Sequence, residues 1–318
     1  MTVWTCATCA IEHADTAAPP AICGICADER QFVPPGGQRW TTRQELESAG
    51  HRITVRELED DLYAVDCEPR LGIGQRGLLL RTRHGNLLWE PPGFIDAAGV
   101  AAIAALGGIA VIAASHPHLI GSSIQWSHAF GGAPVYVAAA DQEWIRRPDA
   151  VIRLWTGSCD LLPGVRMHQC GGHFAGSSVI HWHDDDDDDG RHDSDGGWHD
   201  GGDGDGGRHY GGDGDGGRHD SGNGDSGPHG GGRPGVLLTG DTIAVGADRK
   251  SVNAMRSYVN NIPLSEPAVR RILDTVMPLE FDRIYSAFAR IDSAAHDVVD
   301  MSLRRYIRWI RGEADAGA

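Results

Sequence analysis

Basic residues are scarce in this chain. Its 318 residues hold 28 Lys and Arg against 44 Asp and Glu, a formal charge of −16. No cluster of them makes the kind of patch that neutralises phosphates, so nucleic acid is not an expected partner. Long apolar runs are also missing. The one stretch near the minimum spanning length, residues 97–114, is mostly Ala and Gly and is broken at Gly107 and Gly108. A buried helix, a turn and a buried strand are expected there, not a membrane span. The opening Met1-Thr-Val-Trp-Thr-Cys6 has no basic segment leading into an apolar one, so no secretory signal is expected, and the expectation is a soluble, cytoplasmic protein.

The negative charge is concentrated in one place. Residues 184–234 carry 15 Asp, no Glu and 4 Arg, which accounts for −11 of the total. This segment repeats with a period of ten and has almost no apolar side chains. It cannot bury enough surface to offset chain entropy, and a disordered insertion is expected. Its histidines His192, His199, His209 and His219, interleaved with Asp, leave loose binding of divalent metals open. Its flanks, residues 177–182 and 236–240, read as two buried strands of one hairpin with an extended tip.

Away from the insertion, 41% hydrophobic content is enough for a core. Strands are predicted near 53–58, 62–67, 77–83, 86–90, 109–113, 135–138, 151–155 and 164–169. Helices are predicted from Asp96, an N-cap candidate, to 106, and at 122–130, 141–147, 265–275 and 293–311. The segment Gly72-Ile-Gly-Gln-Arg-Gly77 precedes a strand, so it reads as a turn and not a phosphate loop. The predicted organisation is a cysteine module at 1–36 and an α/β domain at 50–183 and 235–318, interrupted by the insertion.

Seven cysteines is an odd number, and four of them form Cys6-x2-Cys9-x13-Cys23-x2-Cys26. Each Cys-x-x-Cys knuckle presents two thiolates, and two knuckles complete a tetrahedral four-sulfur site. Such a module is zinc-ribbon or rubredoxin-like, with structural zinc expected and iron the alternative. Four thiolates leave no open position, so the module is expected to act as a folding staple. Cys67, Cys159 and Cys170 are expected to pack in apolar surroundings.

A second set of candidate ligands sits at three strand ends. The buried strand Ile109-Ala-Val-Ile-Ala-Ala-Ser leads into His116-Pro-His118, Gly171-Gly-His173 precedes another strand, and Leu238-Thr-Gly-Asp241 ends a third. Residues i and i+2 at a strand end can converge on one ion. Other histidines near these motifs, His128, His168, His181 and His183, are secondary candidates.

With Ser115-His-Pro-His118, Gly171-Gly-His-Phe-Ala-Gly-Ser177 and Thr239-Gly-Asp241, the chain resembles the metallo-β-lactamase fold superfamily from about residue 50 onward. The resemblance implies a four-layer αββα sandwich with a metal at one edge, and hydrolase or related chemistry. By position, His116, His118 and His173 match the family's three-histidine metal site and Asp241 its bridging carboxylate. The family pattern His-x-His-x-Asp-His is broken here by Ile120 and Gly121. Its last histidine would fall in residues 284–289, where Tyr285 and Ser286 stand as candidate pocket residues. One metal is therefore expected in the main site, not two. The function expected is hydrolysis of a small-molecule ester, thioester, amide or lactone by a zinc-bound hydroxide, with Asp241 as a base or water-orienting group. A non-catalytic metal or ligand binder and an iron-dependent redox protein are the alternatives.

Overall fold

A computed structural model describes residues 2–183 and 234–313 of the chain. The expected disorder of the insertion, and the four of its histidines named as loose metal ligands, lie outside the described residues. The described residues form one compact unit.

Two sheets face each other. The first has seven strands, in spatial order Ile152–Trp155, Val135–Ala138, Val111–Ala113, Gly85–Trp89, Gly77–Thr82, Leu62–Glu68 and Arg52–Glu59. The second has six: Ser158–Leu162, Val165–Gln169, Ser178–Trp182, Gly235–Gly240, Phe281–Ser286 and Arg290–Ile291. Strand residues alternate between faces, and that alternation assigns them to different cores. Leu79, Leu88, Ile112 and Val135 face outward and pack with Leu46, Ile103, Ile124 and Trp126. These last four come from helices α1 (Arg43–Ser48), α2 (Ala97–Ala105) and α3 (Ser123–Ala129). Leu78, Leu80, Leu87, Trp89 and Val111 face inward, against Val165, Met167, Ile180, Val236 and Leu238 of the second sheet. On the far side, Val179, Leu237 and Ile284 pack on Ile272 and Val276 of α4 (Glu266–Val276) and on Val299 and Leu303 of α5 (Ala295–Ile310). Both sheets are buried on both faces, which makes the architecture the four-layer αββα sandwich that the resemblance implies.

The segment 97–114 resolves into α2, a turn and the strand Val111–Ala113. Among the described residues no helix is long and apolar enough to cross a membrane. Asp96 caps α2, its carboxylate accepting from Gly99 N at 2.6 Å and from Ile53 N at 3.1 Å. The strands flanking the insertion pair antiparallel, with Ile180 opposite Leu238 and Trp182 opposite Val236. The turn after the first hairpin carries positive φ at Gly72 (59°) and Gly74 (71°), a conformation that glycine adopts without a steric penalty.

Three elements differ from the sequence reading. Residues 139–144 form a 3-10 helix in place of the α-helix predicted at 141–147. Asp141 turns inward there to accept from Gly176 N at 2.7 Å, which ties the segment down. Helix α1 was not predicted because it buries one side chain, Leu46, although Thr42 and Glu45 form a reciprocal capping box at its start. The edge strand Ser158–Leu162 was not predicted because no residue in it is fully buried.

The N-terminus adds a three-stranded sheet, in order Glu12–Thr16, Thr2–Cys6 and Trp40–Thr41. Its core is small: Ile11 and Ile25 pack beside the four cysteines. At roughly 1.5–3 kcal/mol per fully buried aliphatic side chain, the sandwich cores can hold the main body together, whereas the cysteine module has little apolar burial of its own.

Candidate metal centres

The sulfurs of Cys6, Cys9, Cys23 and Cys26 lie within 4.8 Å of one another, all buried. The Cys6–Cys26 and Cys9–Cys23 pairs are both 3.7 Å apart. A disulfide requires about 2.05 Å. A tetrahedron with metal–sulfur distances of about 2.3 Å has edges of about 3.8 Å, so the cluster has the dimensions of a four-thiolate site. Burial pushes the Cys9 thiol well up, so the chain cannot ionise all four thiols here without a cation to balance them. Donors already face the sulfurs. Gln38 donates from Nε2 to Cys6 Sγ at 3.1 Å and accepts from Cys23 N at 3.1 Å, and His13 Nε2 is 3.4 Å from Cys23 Sγ.

The second cluster is His116, His118 and His173, also within 4.8 Å by one nitrogen each. The three imidazoles are only 2–4% exposed. Burial holds all three well below the ordinary histidine range, His173 at about 4, so they are neutral near pH 7 and free to donate lone pairs. Their tautomers follow from their partners. His173 Nδ1 is 3.0 Å from the Met255 carbonyl, which only accepts, so Nδ1 carries the proton and Nε2 is free. Ser115 Oγ donates to Glu90 Oε1 at 2.6 Å and so accepts from His116 Nδ1 at 2.8 Å. This leaves His116 Nε2 as the free nitrogen, and it is buried with no partner. His173 Nε2 is 3.1 Å from His118 Nδ1, close to the edge of about 3.3 Å expected for two nitrogens on one tetrahedral zinc. The donor set fits a metal.

Asp241 lies outside this group. It ends the strand Gly235–Gly240 and is buried, and its backbone carbonyl accepts from Tyr258 Oη at 2.9 Å. Burial pushes its carboxyl up to about 7. The structure thus gathers three of the four predicted main-site residues and leaves the carboxylate out of the group. Glu90, which the sequence reading missed, is a second buried acid. It sits at φ 58° after the strand Gly85–Trp89, and burial pushes it up to about 8, with Asp241 adding to the effect. A charged residue directly after the apolar run Leu87-Leu88-Trp89 was the available signal.

The positions Ile120 and Gly121, where the sequence departs from the pattern it resembles, have a structural setting of their own. Ile120 packs against the cysteine cluster, and the Gly121 carbonyl accepts from Glu12 N at 3.2 Å. Helix α3 begins at the next turn with no side-chain cap of its own from Ser122. Glu12 supplies one, accepting from Ile124 N at 2.5 Å, and also pairs with Arg147. On the other side, Arg30 follows the second knuckle and is 9% exposed. It donates from Nε to the His173 carbonyl at 2.8 Å and lies 4.2 Å above the Phe174 ring. Phe174 in turn stacks on His116, with ring centroids 5.5 Å apart. The cysteine module therefore covers the loop where further ligands would stand and braces the histidines that remain.

The secondary candidates do not join either cluster. His128 pairs with Asp149 at 3.1 Å, His181 Nε2 is 2.8 Å from the Glu280 carbonyl, and the rings of His181 and His183 are 5.3 Å apart. His168 Nε2 is buried without a partner, in the strand paired with Val179. Tyr285 packs in the core between the sheets, and Ser286 Oγ is occupied by the Ala289 carbonyl. Cys170 is buried in the outer core beside α4, while Cys67 and Cys159 are half-buried at core edges. Burial pushes Cys67 and Cys170 up to about 12, which leaves both thiols unreactive.

No family model matches the sequence. Among solved structures the chain is similar to DIM-1 metallo-β-lactamase, at 10% identity and a TM-score of 0.49, covering 80% of this chain and 98% of that one. It is also similar to the metallo-β-lactamase SMB-1 in complex with mercaptoacetic acid, at 15% identity and a TM-score of 0.46, covering 82% and 96%. A much nearer similarity is to YmaE of Bacillus subtilis (strain 168), described as an uncharacterized protein. It is 34% identical over 316 residues, which span 98% of both chains. End-to-end identity at that level makes this chain a member of the YmaE family.

Proposed function

We propose that this protein is a metal-dependent hydrolase with one zinc held by His116, His118 and His173 and a second, structural zinc held by Cys6, Cys9, Cys23 and Cys26. The observation that carries the reading is the convergence of three buried, neutral imidazoles, each with a free nitrogen and two with the other nitrogen already bonded to a fixed partner. Zinc bound by three histidines supplies Lewis acidity and lowers the pKa of water. The chain's own residues set its surroundings. Glu90 and Ser115 orient His116, the Met255 carbonyl orients His173, and Arg30 fixes the His173 backbone. Asp241, with its carboxyl near 7, is the group suited to exchange a proton at neutral pH. The substrate class that matches is an ester, thioester, amide or lactone. The test is turnover of a panel of activated esters and thioesters. Metal-dependent activity that disappears in His118→Ala supports the reading, and activity that survives it counts against it.

One observation favours a second reading, a metal or ligand binder without catalysis. The histidines are almost fully covered, and a pocket beside His116 has a volume of about 20 Å³, room for about one water. Tight metal binding with no turnover across the panel would favour it.

A further inference from the structure

A separate cleft of about 260 Å³ opens between the loop after the strand Leu62–Glu68, the end of the turn at Gly74, and residues Ala287 and Phe288. None of the three histidines lines it, and neither does Asp241. Its volume is just below the range of about 300–1,000 Å³ usual for small-molecule sites, so any occupant is small.

The charges in this cleft are unevenly matched. Five charged side chains line it, three Arg and two acids. Arg56 is 3.9 Å from Asp66, and Glu68 is paired at 2.7 Å with Arg52, outside the cleft. Arg70 and Arg76 are left with no carboxylate within 4.0 Å among the described residues. Arg70 is exposed at the rim. Arg76 lies deeper: its Nη2 donates to the Ser286 carbonyl at 3.3 Å, and its Nε is buried with no partner. Burial disfavours its charge, and Asp66 offsets this only in part. Beside it, Gln75 is 6% exposed, and its Nε2 is also buried without a partner. Unpaired buried donors are costly, and two of them on residues lining one cavity mark a place where an acceptor belongs. The lining also includes apolar Leu71, Pro92 and the half-exposed Phe288.

We propose that this cleft is a binding site for a small organic anion, a carboxylate or phosphate held by Arg70, Arg76 and Gln75, whose apolar part rests on Leu71 and Phe288. The guanidinium fork matches the two oxygens of either anion, and the apolar lining calls for an organic group beyond the anion. The site stands independently of the metals. It connects to the strand end that carries Asp241, because Arg76 N donates to the Ala287 carbonyl at 3.3 Å and Ala287 N donates to the Gly240 carbonyl at 3.2 Å.

The test is calorimetric titration of the full-length, metal-loaded protein with benzoate, phenyl phosphate, inorganic phosphate and the neutral analogue benzamide. Benzoate or phenyl phosphate binds, and benzamide binds at least about tenfold more weakly, the scale of a lost charge-assisted hydrogen bond. Which of the two binds more tightly identifies the anionic group, and weaker binding of inorganic phosphate confirms the role of the apolar lining. Arg70→Ala and Arg76→Gln each weaken binding about tenfold or more while metal content stays that of wild type, which separates this site from an anion bound at a metal. Arg70 is exposed, so its variant tests the site even if Arg76→Gln fails to fold. Equal binding of benzoate and benzamide, no binding of any anion at millimolar concentration, or binding unchanged in Arg70→Ala would overturn the proposal.

Discussion

The two metal-type clusters of this chain are built in opposite ways. The cysteine cluster is local. Its four ligands fall within 21 residues, come from two knuckles and form a closed set with tetrahedral dimensions. The histidine cluster is assembled from far apart in the chain, His118 and His173 being 55 residues apart, and it offers three nitrogens. A closed set of four thiolates suits stabilisation, whereas a three-nitrogen set leaves a coordination position for chemistry. The clusters are also linked: Glu12 and Arg30, from the cysteine module, bond to the backbone of the histidine loops.

The largest effect expected is from Cys23→Ala/Cys26→Ala. With little apolar burial of its own, the module should draw its stability from a bound metal, an amount on the order of 10 kcal/mol for small zinc sites. Limited proteolysis should therefore cut this variant within the first 40 residues or so, where the wild-type protein resists. Should the module stay protected, its stability does not come from the cysteine site.

His118→Ala comes next. It should remove one equivalent of metal and all metal-dependent turnover while leaving the cysteine site loaded, as read by elemental analysis. Retention of the full metal content would show that the histidines are not ligands.

Arg30→Ala tests the link between the clusters. Losing a partner in the shell around a metal site typically costs about 10–100-fold in metal affinity. Because Arg30 acts through the backbone and through Phe174, the low end is expected, measured by chelator competition. Arg30→Lys should not restore affinity, since an ammonium lacks the planar face that covers Phe174 and the fork that reaches both Asp28 and His173. Equal affinity in all three proteins would mean that the module only covers the site.

The smallest effect on metal content is expected from Ile120→Asp, which places a carboxylate where the resembled pattern has one. It should not recruit another metal. It should cost about 1–3 kcal/mol in denaturant unfolding, because the new carboxylate replaces an apolar side chain packed against the cysteine core. A gain of one metal equivalent would contradict the covering role assigned to the module.

Much of this was legible in the sequence for physical reasons that can be named. A continuous apolar run such as Leu78, Leu79 and Leu80 marks a strand buried on both faces, and Asp96 before an apolar run marks a helix start. Cys-x-x-Cys fixes its own geometry, so spacing alone was enough. The three histidines were readable because each stands beside a strand end. What stayed hidden was tertiary. Arg30 reaches His173 across 143 residues, and Glu12 caps a helix 112 residues away, so no local pattern marks either. Asp241 was read as a ligand from its place at a strand end, but the position of its carboxylate depends on how that end packs against Glu90 and Tyr258.

The central claim is that two metals occupy two distinct clusters, and metal stoichiometry tests it most directly. Elemental analysis of the full-length protein, after dialysis against a weak chelator to strip loosely held ions, should give two zinc per chain, falling to one in His118→Ala. A single zinc in the wild-type protein, or two in the variant, would contradict it.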